Sequence, residues 1–213
     1  MLTCGIDDVI HIPDKRYHPG IKQIVYTPAE EIEELRDATP LATLQTTALA
    51  AGKPVALAAN SACDIAVSFA RPAGNATLSV NVGASSAGDG GSGSVQVVYT
   101  QEASSLYYVS VMYVPTRSGN TFAGAPKVIK DKLPLLAEDS TIDVRVFVDG
   151  TVGEAYFMGG RVAFTFELGK TSAFAGIVSS AAGSLSSASA WGMNNIWTTT
   201  DDVLATPRAK YVE

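Results

Sequence analysis

Strict alternation of apolar and polar residues, repeated in segment after segment from about Leu41 onward, constrains this chain more than any other feature of its sequence. Asp64-Ile65-Ala66-Val67-Ser68-Phe69 places Ile65, Val67 and Phe69 on one face of an extended segment. Leu78, Val80 and Val82 repeat the pattern, as do Val95, Val97 and Tyr99, then Ile142, Val144, Val146 and Val148, then Val162, Phe164 and Phe166. Leu106 to Val114 reads as a long strand rich in Tyr and Val. Gly, Pro, Ser and Asn separate these segments, so about ten to twelve strands are expected, with almost no helix after residue 40. Half-buried strands at this spacing predict an all-β fold, a two-sheet antiparallel β-sandwich. With 213 residues, 46% apolar and only 17% charged, the chain can bury one substantial core and lacks the composition of a disordered protein.

The sandwich is expected to be of jelly-roll or concanavalin A-like type, occupying residues 37–213. Residues 1–36 form an N-terminal arm and linker helix. Pro13, Pro19 and Gly20 break any helix early in the arm, and Ile21 to Tyr26 fit one short strand. Thr27-Pro28-Ala29-Glu30 then has the form of a capping box, with a hydroxyl at the N-cap, Pro at N1 and Glu at N3. It predicts a helix of about two and a half turns ending before Pro40, with Ile32 and Leu35 on one face and Arg36 in the last turn. Asp149-Gly150 is the strongest hairpin signal and fits a type I′ turn, and Met158-Gly159-Gly160 makes the next reversal. Three strands, 142–148, 152–157 and 161–166, should therefore lie side by side. The run 83–94, with five glycines and four serines, lacks the Gly-Lys-Ser/Thr ending of a phosphate loop and reads as a flexible hairpin.

Several chemistries are excluded. The net charge is −6 and no run of Lys or Arg exists to neutralise phosphates, so nucleic acid is not an expected partner. No apolar run reaches about 18 residues, so no membrane span is expected. The first eight residues lack the basic start and apolar core of a secretory signal, so none is expected in this chain, with the rear part of a longer secreted precursor left open. Cys4 and Cys63 are far apart. Unrelated thiols are the simpler reading, with one disulfide left open. With His11 and His18 the only histidines, no metal site or cofactor is expected, and the weak loop candidates for calcium are Asp89 and Asp139. No nucleophile elbow is present. Asp149 and Glu154, with Asp143 and Glu167 near them, are the acids that most invite comparison with a glycosidase pair. Structural roles suit them better: Asp149 opens a turn, and Glu154 faces Arg145 or Arg161 across the sheet.

Aromatic faces stack on the C–H groups of sugar rings, so Tyr107, Tyr108, Tyr113, Trp191 and Trp197 are the candidate carbohydrate-binding residues. Tyr107 and Tyr113 share a face of their strand and Tyr108 points the other way. The alternative for every ring is a place in the core. Asn75-Ala76-Thr77 is a glycosylation sequon.

One stretch has a familiar form. Residues 143–157 (DVRVFVDGTVGEAYF), followed by 158–165 (MGGRVAFT), resemble a segment near the C-terminus of invertases and related β-fructofuranosidases, glycoside hydrolase family 32. There the pattern runs through Leu-Arg, apolar residues, Asp-His-Ser, apolar residues, Glu-Ser-Phe and Gly-Gly-Arg. Residues 23–36 (QIVYTPAEEIEELR) look like the family's P-x-E-E-I-x-x-L-R segment, and residues 190–194 (AWGMN) like its closing A-W-x-M strand. The departures are Gly150 for His, Gly153 for an apolar residue and Ala155 for Ser.

The resemblance covers about residues 21–197 and implies a C-terminal β-sandwich joined by the linker to a five-bladed catalytic propeller. The family's catalytic acids lie in W-x-N-D-P-N, R-D-P and E-C motifs of that propeller. This sequence contains none of the three, and Asp149 and Glu154 match sandwich positions that are not catalytic in the family. The resemblance therefore implies a non-catalytic module acting in carbohydrate binding or in domain or subunit assembly. Its partners would be a glycan or fructan, a catalytic propeller domain, or a second copy of the chain. The competing expectation is a β-fructofuranosidase-like glycoside hydrolase, as a fragment or standing alone, acting on sucrose or fructans. Family members are usually secreted or vacuolar. An arm adapted to a propeller implies that the segment before residue 27 is mobile or seeks a partner, and that an apolar patch lies near Ile32 and Leu35.

Overall fold

A computed structural model describes residues 17–18, 20–84, 92–101, 106–115, 128–168 and 174–194. Their strands, numbered in chain order, begin with β1 (Tyr17–His18), β2 (Gln23–Ile24), β3 (Ala42–Leu44), β4 (Thr47–Leu49) and β5 (Val55–Ala58). Next come β6 (Ala62–Ala70), β7 (Ala76–Ala84), β8 (Gly93–Tyr99), β9 (Leu106–Pro115) and β10 (Ile129–Leu136). The last are β11 (Thr141–Asp149), β12 (Val152–Phe157), β13 (Val162–Glu167), β14 (Phe174–Ser179) and β15 (Gly183–Gly192).

The protein is a β-sandwich, as the alternation predicts. The first sheet has seven strands in the order β13-β12-β11-β6-β15-β3, with β4 also paired to β15. The second has six, in the order β10-β9-β8-β7-β14-β5. All pairings are antiparallel. Ile65, Val67 and Phe69 of β6 and Ile142, Val144 and Val146 of β11 face Leu78, Val80 and Val82 of β7 and Val95 and Val97 of β8 in one buried cluster. Each such side chain removed from water contributes roughly 1.5–3 kcal/mol, which makes the shared inner face the main source of stability.

The three-strand meander forms, with Val152–Phe157 as expected, the first strand one residue longer at each end and the third shifted by one residue. Its turn differs from expectation. Asp149 pairs with Val152 and with Ala62 of β6, so the loop is Gly150-Thr151. Gly150 has φ +58 and Thr151 is not in the positive region, the Gly-first pattern of a type II′ turn rather than I′. Gly153 sits where the family pattern has an apolar residue because Phe166 of β13 takes that volume: a Cβ there would lie 2.3 Å from its ring.

The predicted helix is present but altered. It is a 3-10 helix, Glu30–Leu35, with Ala29 rather than Thr27 at its N-cap and no side-chain cap. Its bonds run from Ile32 N–H to Ala29 C=O and from Arg36 N–H to Glu33 C=O. Six residues held in extended backbone at both ends cannot sustain an α-helix without packing, and the tighter turn results. Ile32 and Leu35 are half-buried, not an open apolar patch.

The arm also departs from expectation. Strand β2 is only two residues long and pairs with β1, not with either sandwich sheet. Residues 23–26 are nevertheless docked: Gln23 Nε2 donates to Arg161 C=O at 2.7 Å, Tyr26 N–H donates to Gly160 C=O at 2.8 Å, and Val25 is buried. Gly160, at φ +92, permits this approach, since a Cβ there would stand 2.4 Å from Tyr26 C=O.

At one end of the sandwich Arg161 pairs with Asp139 (Nη2 to Oδ1, 2.9 Å), and Arg71 donates to the carbonyls of Leu136, Ala137 and Asp139 at 3.0 Å. These arginines fasten the β10–β11 turn. Asp139, a candidate for calcium, is thus engaged by a guanidinium. Asp89 lies outside the described residues. Among the described residues no group of three or more His, Cys, Asp or Glu is placed to hold a metal, and no helix is long and apolar enough to cross a membrane.

Candidate functional site

The outward face of the first sheet carries the chemistry. Inward residues of β6 are Cys63, Ile65, Val67 and Phe69, so Asp64, Ala66 and Ser68 face out. An outward aspartate should be wet, yet Asp64 is 0% exposed. The reason is the segment after the 3-10 helix. Arg36 lies on Asp64, with Nε at 2.8 Å and Nη2 at 2.7 Å from Oδ2. Arg145 of β11 grips the same carboxylate with both ends of its fork, Nε to Oδ1 at 3.0 Å and Nη2 to Oδ2 at 2.7 Å. Glu33 closes the set, 3.0 Å from Arg145 Nη1 and 3.4 Å from Arg36 Nη1. Two acids balance two arginines, which is what allows a carboxylate to be buried. Burial works against the charge on Arg145, but the bond to Asp64 and the charges of Asp64 and Glu33 outweigh it and hold its pKa above the ordinary arginine value.

The guanidinium of Arg36 also lies over the Trp191 ring, 4.0 Å from its centroid, as a cation–π contact. Backbone bonds continue the attachment: Asn194 N–H to Leu35 C=O at 2.7 Å, Asp37 N–H to Gly192 C=O at 2.9 Å and Leu41 N–H to Ala190 C=O at 2.8 Å. Residues 23–41 are thus fastened to the sandwich at the β12–β13 turn, at Asp64 and along β15. Under the middle of this segment runs a groove of about 470 Å³, floored by β6, β11 and β15.

The nominated aromatic residues do not form one platform. Tyr107 and Tyr113 are 2% and 3% exposed, so neither offers a face to a sugar. The hydroxyl of Tyr107 accepts from Arg71 Nη2 and donates to Tyr99 at 3.1 Å. That of Tyr113 donates to Glu167 C=O at 2.9 Å, and its ring stacks on Phe166 at 4.1 Å. Burial is the main reason both pKa values are pushed up to about 12. Their shared face is the inward one, which alternation alone could not decide. Tyr108 points outward on the second sheet and is 53% exposed. Trp191 is on the first sheet beneath Arg36, and Trp197 lies outside the described residues.

Glu154 does not pair with an arginine, because Arg145 is taken by Asp64 and Glu33, and Arg161 by Asp139. It accepts the Tyr156 hydroxyl at 2.9 Å. Cys63 is a free, buried thiol whose pKa is pushed up to about 11 by burial. Cys4 and His11 lie outside the described residues. Asn75 of the sequon is exposed, and its Oδ1 accepts Gln101 N–H at 3.0 Å.

Sequence reasoning missed Asp64. The available signal was its place as the one charged residue of a nine-residue strand whose other outward neighbours, Ala66 and Ser68, are small.

The family model described as "Glycosyl hydrolases family 32 C terminal" matches residues 31–191. A search of the curated proteins found no match. Among solved structures, the chain is similar to fructan 1-exohydrolase IIa of Cichorium intybus in complex with 1-kestose, with TM-score 0.69 and 18% identity over 84% of this chain and 40% of that one. It is similar to the exo-inulinase of Aspergillus awamori, with TM-score 0.62 and 18% identity over 82% of this chain and 33% of that one. The sucrose-6-phosphate hydrolase of Lactobacillus gasseri gives TM-score 0.52 and 18% identity over 82% and 32%. At such identity these are likenesses of fold, and the chain spans two fifths or less of each enzyme's length.

Proposed function

We propose that the chain, which belongs to the family of C-terminal domains of family 32 glycosyl hydrolases, is a non-catalytic assembly domain that sets the orientation of a catalytic propeller. In this reading residues 1–36 are the arm and linker and residues 37–213 the sandwich. The observation that carries it is the fully buried Asp64, which holds Arg36 of the linker and Arg145 of the sheet in one charge-balanced cluster. A flexible tether would need no such attachment. Fixing a linker at three places removes its freedom to swing and so fixes the direction in which it leaves the sandwich. The latch acts on a segment of this same chain, which favours a domain joined through that segment over a second copy. The whole enzyme's activity, by analogy with the fructan- and sucrose-type hydrolases named above, would be β-fructofuranoside hydrolysis performed by the propeller.

The reading is tested by mixing the purified chain with the propeller of a family 32 β-fructofuranosidase produced without its own C-terminal domain. The expected result is a complex that raises the propeller's Tm and is weakened by Asp64→Ala. Hydrolysis of sucrose or inulin by the chain alone, abolished by Glu154→Gln, would instead make it a hydrolase and overturn the reading. A glycan role for the exposed Tyr108 and for Trp197 is a separate proposal, read by a glycan array on Tyr108→Ala and Trp197→Ala.

A further inference from the structure

We propose that the groove between the linker and the outward face of the first sheet is a binding site for a neutral sugar unit. Its floor is set by register. Ser68 of β6 stands between Asp143 of β11 and Ser187 of β15, and Ala66 between Arg145 and Ser189. Ala66, Ser68, Ser187 and Ser189 thus form a block of small side chains two strands wide and two outward positions long. At about 4.8 Å between strands and about 6.8 Å between successive outward positions, the block has the footprint of one furanose or pyranose ring. The groove's volume, about 470 Å³, lies in the range of small-ligand sites.

The lining matches a polyol. The hydroxyls of Ser187 and Ser189 make no hydrogen bond among the described residues and can each donate and accept. Asp143 uses Oδ1 to accept from Ser68 at 2.6 Å, and its Oδ2 remains for a ligand hydroxyl. Tyr156 stands at the rim beside Arg145. Its orientation is held by the bond to Glu154 and by an edge contact with Phe147 at 5.8 Å and 85°, so its ring is a fixed wall. The charge on Arg145 is already balanced by Asp64 and Glu33, whereas Asp143 has only a serine hydroxyl. Among the described residues the rim is therefore net negative, which disfavours an anion and leaves a neutral, hydroxyl-rich ligand. None of the five aromatic residues nominated above is needed. The site does not rest on the assembly reading, because the linker and sheet that form it belong to this chain.

Saturation-transfer NMR on the full chain, with sucrose and 1-kestose as probes and sulfate as the anionic control, tests the site. Transfer to at least one sugar is expected, with Kd in the millimolar range usual for one shallowly held ring, on the order of 1 mM. Ser187→Leu fills the floor and should weaken binding at least about tenfold with an unchanged Tm, whereas Lys132→Ala, at an exposed position of the other sheet, should leave it intact. Asp143→Asn keeps the shape and removes the charged acceptor. It should weaken binding about threefold or more, and it serves if Ser187→Leu disturbs folding. Absence of transfer to both sugars, transfer indifferent to both groove variants, loss on Lys132→Ala alone, or competition by sulfate would each overturn the proposal. None of these outcomes depends on a propeller being present.

Discussion

The outward faces of the two sheets are built from the same alternation and end in opposite states. On the first sheet the 3-10 helix and linker lie against the strands, Asp64 is wholly buried and four charged groups are locked together. On the second, Tyr108 is 53% exposed, Lys130 and Lys132 stand in water, and among the described residues no ion pair involves a strand of that sheet. An outward position is therefore not the same as a solvated one. What separates the faces, among the described residues, is whether another part of the chain is laid over them. The covered face holds charge, small side chains and a groove; the open face needs only polarity to stay in solution.

The comparison is broken most directly at Asp64. Asp64→Ala leaves two arginines facing each other without their shared carboxylate and should cost roughly 3–5 kcal/mol in urea unfolding. Limited proteolysis should also open the linker near residues 23–41. An intact linker in that variant would show that the backbone bonds alone suffice. Next in size is Gly160→Ala. The added Cβ meets Tyr26 C=O at 2.4 Å in a residue at φ +92, so a loss of about 2–3 kcal/mol and exposure of the arm to protease are expected.

A third test contrasts the inward face of β9 with the outward one. Tyr113 has its pKa raised from 10.0 to about 12 by burial and then by the charge of Glu167. In the unfolded chain the phenol ionises first, so the folded state binds more protons between those values. Stability should hold below pH 10 and fall as the pH climbs toward 12, by on the order of 2 kcal/mol, read as Tm against pH. Tyr113→Phe should lessen that alkaline loss. Smallest is Tyr108→Ala on the open face, expected within about 0.5 kcal/mol of the parent by the same unfolding measurement. A larger loss would mean that the second face is covered after all.

Much of the fold was legible because alternation is a local property. Each residue of β6 or β11 declares its face by its neighbours two positions away, and the hairpin 149–152 and the reversal at 158–160 are marked by glycines at positive φ. The errors were equally physical. The capping box at Thr27 was overridden because the segment is held extended up to Ala29 by its docking, leaving room for only six helical residues. Trp191 could be placed on a strand but not beneath a guanidinium, since Arg36 arrives from 155 positions earlier in the chain. Strand pairing alone offers Glu154 two arginines across the sheet, whereas Arg145 goes to Asp64, 81 residues away, and Arg161 to Asp139, 22 away.

Sequence alone determined that this chain makes a sandwich, where most of its strands run and which family its linker and meander resemble. Those are consequences of periodicity, turn chemistry and short motifs, all carried by residues close together in the chain. Only the tertiary structure decided which sheet face would be covered, that Asp64 would be buried between arginines 28 and 81 residues away, and that Tyr107 and Tyr113 would point into the core. Burial and charge pairing depend on what comes to lie opposite a residue, and in an antiparallel sandwich that neighbour is set by packing rather than by sequence distance.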